Sequence, residues 1–185
     1  MSLYAIDNPG LLYGSIVVAA VAIIVFVIAK LVTKHFAEKR KKECFNLLTS
    51  VCNEKNEKEF KIEYSNDSAY DYYIESEKHK YFIKLINNPT KDEICVNNAI
   101  KWQLRSGVKE KEIRFVEGVE SLMRMDIKKD EKQVHKLFII YPNAKALLKV
   151  INECEMVFVN PNTNIYGANI ITFNQLEQDH ELINL

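Results

Sequence analysis

Residues 70–89 read YDYYIESEKHKYFIKLINNP and contain two strand patterns with a turn between them. In the first half, large apolar side chains alternate with Asp71, Tyr73 and Glu75, the period of two that is typical of a β-strand. The turn EKHK leads into YFIKLI, which is apolar on both faces and is therefore expected in the interior of a sheet. The pattern predicts a β-hairpin, with Asp71 near the start of its first strand and Lys84 within its second.

One more strand is predicted just before this hairpin. Phe60, Ile62 and Tyr64 alternate with Lys61 and Glu63, and the turn-forming residues SNDS follow at 65–68. Three successive strands joined by short turns form an antiparallel meander. Residues 60–86 are therefore expected to pair in chain order within one sheet.

Behind the hairpin, the sequence predicts helices that alternate with strands. Thr90 and Glu93 have the spacing of a capping box, which predicts a helix over 92–107, with Trp102 packed against the sheet or against the membrane-proximal helix. Asn143 is a suitable cap for a second helix over 144–154. The other elements are expected to be an irregular extended segment at 113–125, strands at 134–142, 155–161 and 168–173, and a closing helix begun by Asn174 and Glu177.

A membrane span is predicted by residues 11–29, LLYGSIVVAAVAIIVFVIA, which carry no charged side chain. Nineteen residues in a helix rise about 28 Å, close to the roughly 30 Å thickness of a hydrocarbon core. A cleaved signal peptide begins with positive charge, whereas residues 1–10 contain Asp7 and no lysine or arginine. We therefore expect a retained transmembrane helix over 11–33, with residues 1–10 as a short extracytoplasmic tail.

Basic residues directly after the span predict its orientation. Lys30 and Lys34 are followed by KRKK at 39–42, while the N-terminal flank has no basic side chain. By the positive-inside rule, the N-terminus lies outside the cell membrane and the bulk of the chain lies in the cytoplasm. The expected organisation is a basic juxtamembrane segment at 34–42, which contacts the lipid bilayer, and a cytoplasmic domain at 43–185. The helix is expected to continue into this domain with an amphipathic pattern at Cys44, Phe45, Leu48, Val51 and Cys52.

These elements together predict an α+β protein: a single N-terminal transmembrane helix, then a mixed β-sheet flanked by helices in the order αβββαβαβ. From residue 43 onward there are 19 basic and 23 acidic side chains, so the domain is net acidic by about four charges. Domains that bind nucleic acid normally carry a basic face, because phosphate neutralisation supplies most of the non-specific affinity. A nucleic-acid partner is therefore possible but not favoured, and we expect a protein partner at the membrane.

The cysteines and histidines show no spacing that is typical of a zinc site or a catalytic triad. A cytoplasmic domain keeps its cysteines reduced, and we expect them to be small core residues: Cys44, Cys52, Cys95 and Cys154. The histidines are scattered along the chain, at His35, His79, His135 and His180.

The order of elements resembles the restriction-endonuclease-like fold, the PD-(D/E)XK nuclease superfamily, over most of residues 43–173. In active members, an acidic residue near the start of the second core strand and an acidic-x-Lys motif on the third strand hold the metal and assist the attacking water. The resemblance places Asp71 in the first acidic position. It places the third-strand motif on Lys84, Leu85 and Ile86.

The chemistry of this motif is changed, because Lys84 replaces the metal-binding carboxylate and Ile86 replaces the motif lysine. A hard divalent cation requires oxygen ligands and is repelled by an ammonium group. The resemblance therefore implies a degenerate site without catalytic residues, metal or cofactor, in which Lys84 pairs with Asp71 on the neighbouring strand. A lysine that protects an edge strand from pairing is a purely structural alternative.

A rearranged nuclease centre is a second alternative. Asp71 and Glu75 share a strand face, and Lys101 on the predicted helix could stand in for the missing strand lysine. Such a centre would use Asp71, Glu75, Lys84 and Lys101 with Mg²⁺ on phosphodiesters. The leading hypothesis is a non-catalytic, membrane-anchored interaction or scaffolding module; the alternatives are this membrane-associated nuclease and a subunit of a membrane transport or secretion assembly.

Overall fold

The computed structural model describes residues 9–54, 60–106, 114–127 and 131–183. The chain divides into two compact units, Met1–Lys42 and Glu43–Leu185. Helix α1 extends over Pro9–Glu54, and in the first unit its aliphatic and aromatic side chains from residue 13 to 36 are exposed. This helix is long and apolar enough to cross a membrane. A candidate transmembrane helix is therefore present near the N-terminus, as the sequence predicts.

The last turns of α1 belong to the second unit and have one buried face. Cys44, Leu48, Val51 and Cys52 are fully buried, and their spacing of four, seven and eight residues places them on one side of a helix. The predicted amphipathic continuation of the helix is confirmed.

In the described residues, ten strands form two five-stranded sheets. The strands are β1 (Lys61–Tyr64), β2 (Tyr72–Glu75), β3 (His79–Asn88), β4 (Glu93–Val96), β5 (Trp102–Arg105), β6 (Arg114–Phe115), β7 (Gln133–Pro142), β8 (Leu147–Asn152), β9 (Glu155–Phe158) and β10 (Ala168–Thr172). Sheet A has the strand order β1-β2-β3-β7-β10, and sheet B has the order β6-β5-β4-β8-β9.

Sheet A contains the predicted meander. Strands β1, β2 and β3 are antiparallel neighbours, and β3, β7 and β10 are parallel to one another. The central strand β3 buries Ile86 on one face and Ile83 on the other, which is why its sequence is apolar on both faces. The predictions for β1 to β3, and for the strands that became β7, β9 and β10, are confirmed.

The core lies on both faces of sheet A. One hydrophobic cluster joins sheet A to sheet B and to helix α2 (Val119–Arg124), with Phe138 and Trp102 among its members. The second cluster joins the opposite face of sheet A to the end of α1 and to helix α3 (Phe173–Gln178). Sheet A is therefore the middle layer, between helices on one side and sheet B on the other.

Two segments that were predicted to be helices are strands. Residues 92–107 contain the β4–β5 hairpin, and residues 144–154 contain β8. At the two predicted caps, the Thr90 hydroxyl donates to the Asp92 carboxylate at 2.7 Å, and Asn143 Oδ1 accepts the N–H of the next residue, Ala144. The α+β class is confirmed, but these apolar segments pair side by side in sheet B: β4 pairs with both β5 and β8.

Smaller corrections concern residues 113–125 and the cysteines. The described part of 113–125 contains the two-residue strand β6 and the helix α2, and is therefore only partly extended. The closing helix α3 is confirmed, although Thr172 caps it, with the Gln175 side chain completing the capping box. Three cysteines are buried as expected, whereas Cys154 is exposed, in the turn between β8 and β9.

Candidate functional site

A cavity of about 700 Å³ lies where the C-terminal half of β3 faces β6. Strand β3 contributes residues 84–87, and Asp71 lies just before β2. Sheet B contributes Leu104, Arg114 and Phe115, and the loop before α2 contributes residues 116–118. The two residues that the sequence identified as a degenerate site, Asp71 and Lys84, therefore line the same cavity. We take this cavity as the candidate functional site.

Asp71 and Lys84 form an ion pair that is largely shielded from water. The Lys84 Nζ and the Asp71 Oδ2 are 3.5 Å apart, and only 15% and 10% of the two side chains are exposed. The same Oδ2 accepts the N–H of Leu85 at 3.0 Å, and Lys84 Nζ also donates to the Ser68 carbonyl at 2.9 Å. The predicted contact between Asp71 and Lys84 is confirmed, and each group has a second, backbone partner.

The loop before α2 packs directly on the stem of Lys84. Gly118 adopts φ of +80°, and a Cβ built there would lie 2.8 Å from Lys84 Cε. The positive φ favours glycine, because side chains of L residues rarely adopt it. The Lys84 ammonium group thus contacts Asp71 and the Ser68 carbonyl, and the end of its stem lies beside Gly118.

A second ion pair closes the cavity on the side of sheet B. Arg114 Nη2 lies 2.6 Å from the Asp92 carboxylate, whose side chain is 8% exposed. Asp92 is held in turn by the buried Asn88 at the end of β3: its N–H donates to Asn88 Oδ1, and its carbonyl accepts from Asn88 Nδ2. Sequence reasoning missed this pair, because the link between the end of β3 and β6 depends on how sheet A and sheet B pack.

Glu75, the second carboxylate of the alternative nuclease centre, lies at the opposite end of β2. Four residues of strand separate it from Asp71 by roughly 13 Å. It forms ion pairs with Lys132 at 2.7 Å and Lys80 at 3.8 Å and accepts a hydrogen bond from the Tyr73 hydroxyl. Its bonds to Lys132 and Tyr73 lower the pKa of Glu75 below its usual value.

Lys101 is exposed in the turn between β4 and β5, where its backbone N–H is bonded to Asn98 Oδ1. It lies on sheet B and does not line the cavity around Asp71. Of the four residues in the alternative centre, the structure brings together Asp71 and Lys84 and leaves Glu75 and Lys101 elsewhere. Trp102 is buried against Phe138, with ring centroids 4.5 Å apart, so its packing was predicted correctly although it lies on a strand.

The cavity provides few metal ligands. Its lining carboxylates are Asp71, which is bonded to Lys84 and Leu85, and the exposed Glu117. Within the described ranges, no group of three or more His, Cys, Asp or Glu side chains has a geometry that could hold a metal ion. What the arrangement offers chemically is a water-accessible cleft with paired charges and an exposed aromatic ring, Phe115.

A pair of histidines was also missed by sequence reasoning. His79 and His135 lie on the neighbouring parallel strands β3 and β7, with 2.9 Å between His79 Nδ1 and His135 Nε2. Tyr81 stacks on His135, with centroids 4.5 Å apart. Burial, and then the neighbouring His79, lower the pKa of His135. The two histidines are 56 residues apart in sequence, and only the register of β3 with β7 brings them together.

Comparison of the chain with known protein families, curated proteins and solved structures finds no match.

Proposed function

We propose that this protein is a non-catalytic interaction module, anchored in a membrane and built on a nuclease-like sheet whose metal site has been lost. The observation that carries the proposal is the shielded ion pair between Lys84 and Asp71. An ammonium group occupies the place where a metal centre needs a second carboxylate. The cleft that remains serves recognition.

The energetics of the pair support this proposal. A metal ion at Asp71 would have to displace Lys84 Nζ from the carboxylate and from the Ser68 carbonyl. Such a displacement would leave the Lys84 ammonium group without its carboxylate partner in a shielded place, and an uncompensated buried charge costs several kcal/mol.

The proposed likeness to nucleases rests on sheet A. An antiparallel meander that continues into a parallel strand, as in β1-β2-β3-β7, is a mixed sheet of the kind that the resemblance implies. The crossover from β3 to β7 departs from the expected single helix, since it contains β4, β5, β6 and α2. The proposed likeness is therefore partial, and the function is argued from the cavity.

The proposed location is the cytoplasmic face of the cell membrane, because the basic residues at 34–42 follow the apolar segment. The exposed Cys154 provides a native reporter, since Cys44, Cys52 and Cys95 are buried. A membrane-impermeant maleimide should label the protein in permeabilised cells and leave it unlabelled in intact cells. The variant Cys154→Ser is the control for labelling at other thiols. Equal labelling of intact and permeabilised cells would contradict the proposed orientation.

Nuclease activity is the decisive test of the non-catalytic proposal. Full-length protein in lipid nanodiscs is incubated with DNA and with RNA in the presence of Mg²⁺ or Mn²⁺, beside the variant Asp71→Asn. We expect the same background cleavage from both proteins. Metal-dependent cleavage that is lost in Asp71→Asn would establish the alternative, a membrane-associated nuclease.

A further inference from the structure

Beyond Ile83, the side of β3 that faces β2 has no strand partner in the described part of the chain. The register of β2 with β3 ends at Tyr72 and Ile83, and the Asp71 N–H donates to the Ile83 carbonyl at 2.8 Å. Strand β3 continues to Asn88, and among the strands of the described ranges this half pairs with β7 alone, on its other side.

The alternation of a strand identifies the backbone groups on this open side. The carbonyl of Ile83 and the N–H of Leu85 both bond to Asp71, so the odd-numbered residues direct their backbone groups toward the β2 side. The Leu85 carbonyl, the Asn87 N–H and the Asn87 carbonyl therefore point the same way. Leu85 and Asn87 both line the cavity.

The edge is open because the chain before β2 turns away from β3. The Ser65 N–H donates to the Asp71 carbonyl at 2.9 Å, and Lys84 Nζ donates to the Ser68 carbonyl at 2.9 Å. The Leu85 N–H would bond to the next backbone residue of a longer β2, but here it donates to the Asp71 carboxylate. The two residues of the degenerate site thus end β2 and leave the rest of β3 accessible.

The opposite wall of the cavity is also a sheet edge. Strand β6 is the last strand of sheet B, and the Val116 N–H donates to the Trp102 carbonyl at 2.9 Å. The backbone groups of Phe115 therefore point away from β5. The Phe115 side chain is 52% exposed, so this wall combines backbone hydrogen-bonding groups with an aromatic surface.

The described residues around the cavity carry no excess of positive charge. Lys84 is paired with Asp71, and Arg114 is paired with Asp92, while the exposed Glu117 adds negative charge. A polyanion such as nucleic acid therefore gains little here, because every lining cation in the described residues already has a carboxylate partner. An uncharged extended backbone with an apolar side chain matches both walls.

We propose that the cavity binds an extended peptide segment of a partner protein, which adds a strand to the open edge of β3 at residues 85–87 and packs an apolar side chain on Phe115. The backbone of Asn87 exchanges two hydrogen bonds with one residue of an antiparallel peptide. This inference rests on the proposed function, since it names the class of partner that the interaction module recognises.

The test begins with a random heptapeptide library displayed on phage and selected on full-length protein in lipid nanodiscs. The best peptide is synthesised with an N-methyl group at each position in turn, and each version is titrated by fluorescence polarisation. Strand addition predicts that methylation at alternate positions weakens binding about tenfold, because it removes an N–H that bonds to β3. Uniform tolerance of methylation, or a library without a saturable binder, overturns the proposal.

Two proline variants locate the binding edge. Asn87→Pro removes the N–H on the cavity side and keeps the residues that bond to β7. Phe158→Pro is the matched control: the Val159 N–H donates to Leu147, so the Phe158 N–H points outward on the open edge of β9. We expect about tenfold weaker binding for Asn87→Pro and unchanged binding for Phe158→Pro. Unchanged binding by Asn87→Pro, or weaker binding by Phe158→Pro alone, overturns the proposal. The methylated peptides test the same proposal on the unaltered protein.

The outcomes separate this inference from the proposed function. Metal-dependent cleavage that requires Asp71 contradicts the proposed function. No peptide binding, together with no cleavage, contradicts strand addition alone. A single-stranded 20-mer DNA is titrated as well. If it binds saturably, competes with the peptide and no longer binds to Lys84→Ala, the ligand of the cavity is nucleic acid and the peptide proposal is overturned.

Discussion

The two ends of strand β2 carry the same chemical group in two different environments. At one end, the Asp71 carboxylate is 10% exposed and is bonded to Lys84 and to the Leu85 backbone. At the other end, the Glu75 carboxylate is 27% exposed and contacts Lys132, Lys80 and Tyr73. Only the first end lines the large cavity. The partners of each carboxylate distinguish the two ends, whereas sequence position alone assigns neither residue a role.

The largest effect is expected when Lys84 is removed. Lys84→Ala leaves the Asp71 carboxylate without its cation in a shielded place, and we expect a loss of about 1–3 kcal/mol in the free energy of unfolding. Chemical denaturation of the protein and of Asp71→Asn, Lys84→Ala and the double variant measures the coupling between the two residues. Additive effects would mean that the pair contributes nothing beyond its separate side chains.

A smaller effect is expected at Glu75. Its partners are partly exposed, so Glu75→Gln should cost about 0.5 kcal/mol or less and should depend on salt concentration. The lowered pKa of Glu75 means that its contribution is present above the unfolded value of about 4.3 and is lost as the pH falls through the folded value. Unfolding curves at neutral pH and at pH 3 should therefore show a difference between the protein and Glu75→Gln that shrinks in acid.

The histidine pair near the Glu75 end predicts a weaker pH dependence of its own. The pKa of His135 is lowered in the folded state, so the unfolded chain binds more protons just below the unfolded value of about 6.5. Stability should therefore fall as the pH decreases from about 7 toward 5.5. His135→Gln should flatten this slope. An unchanged slope in the variant would mean that titratable groups other than His135 cause the pH dependence.

The smallest effect concerns the reactivity of the thiols. Burial raises the pKa of Cys44 to about 12, so this thiol is protonated at neutral pH, while Cys154 is exposed. A maleimide should therefore label the native protein quickly at one thiol, that of Cys154. Because Cys44 contacts Tyr72 next to Asp71, Lys84→Ala should accelerate its slow labelling more than Glu75→Gln does. Equal labelling rates of Cys44 in the two variants would contradict the expected difference between the Asp71 end and the Glu75 end of β2.

The hairpin of β2 and β3 was predictable because its information is local. Alternation over 70–75, a short turn and an apolar run fix the register, and with it the contact between Asp71 and Lys84. The same reasoning failed for β4 and β8, where Thr90 and Asn143 offered caps for helices that do not form. Pairing in sheet B decides these segments, and it depends on residues distant in sequence.

Long-range packing also explains the parts of the site that the sequence did not reveal. Arg114 and Asp92 meet through the junction of β3 with sheet B, and His79 meets His135 through the β3–β7 register. Gly118 gave no signal by itself, since its conformation and its approach to Lys84 depend on the tertiary fold.

The proposal that Lys84 has replaced a metal site at Asp71 is tested by the binding of Mn²⁺ to the folded protein, measured by electron paramagnetic resonance. We expect the native protein and Asp71→Asn to bind Mn²⁺ equally weakly. Lys84→Glu, which places a second carboxylate beside Asp71, should gain a saturable site, and Asp71→Asn in the same chain should abolish it. Saturable Mn²⁺ binding by the native protein that disappears in Asp71→Asn would contradict the proposal.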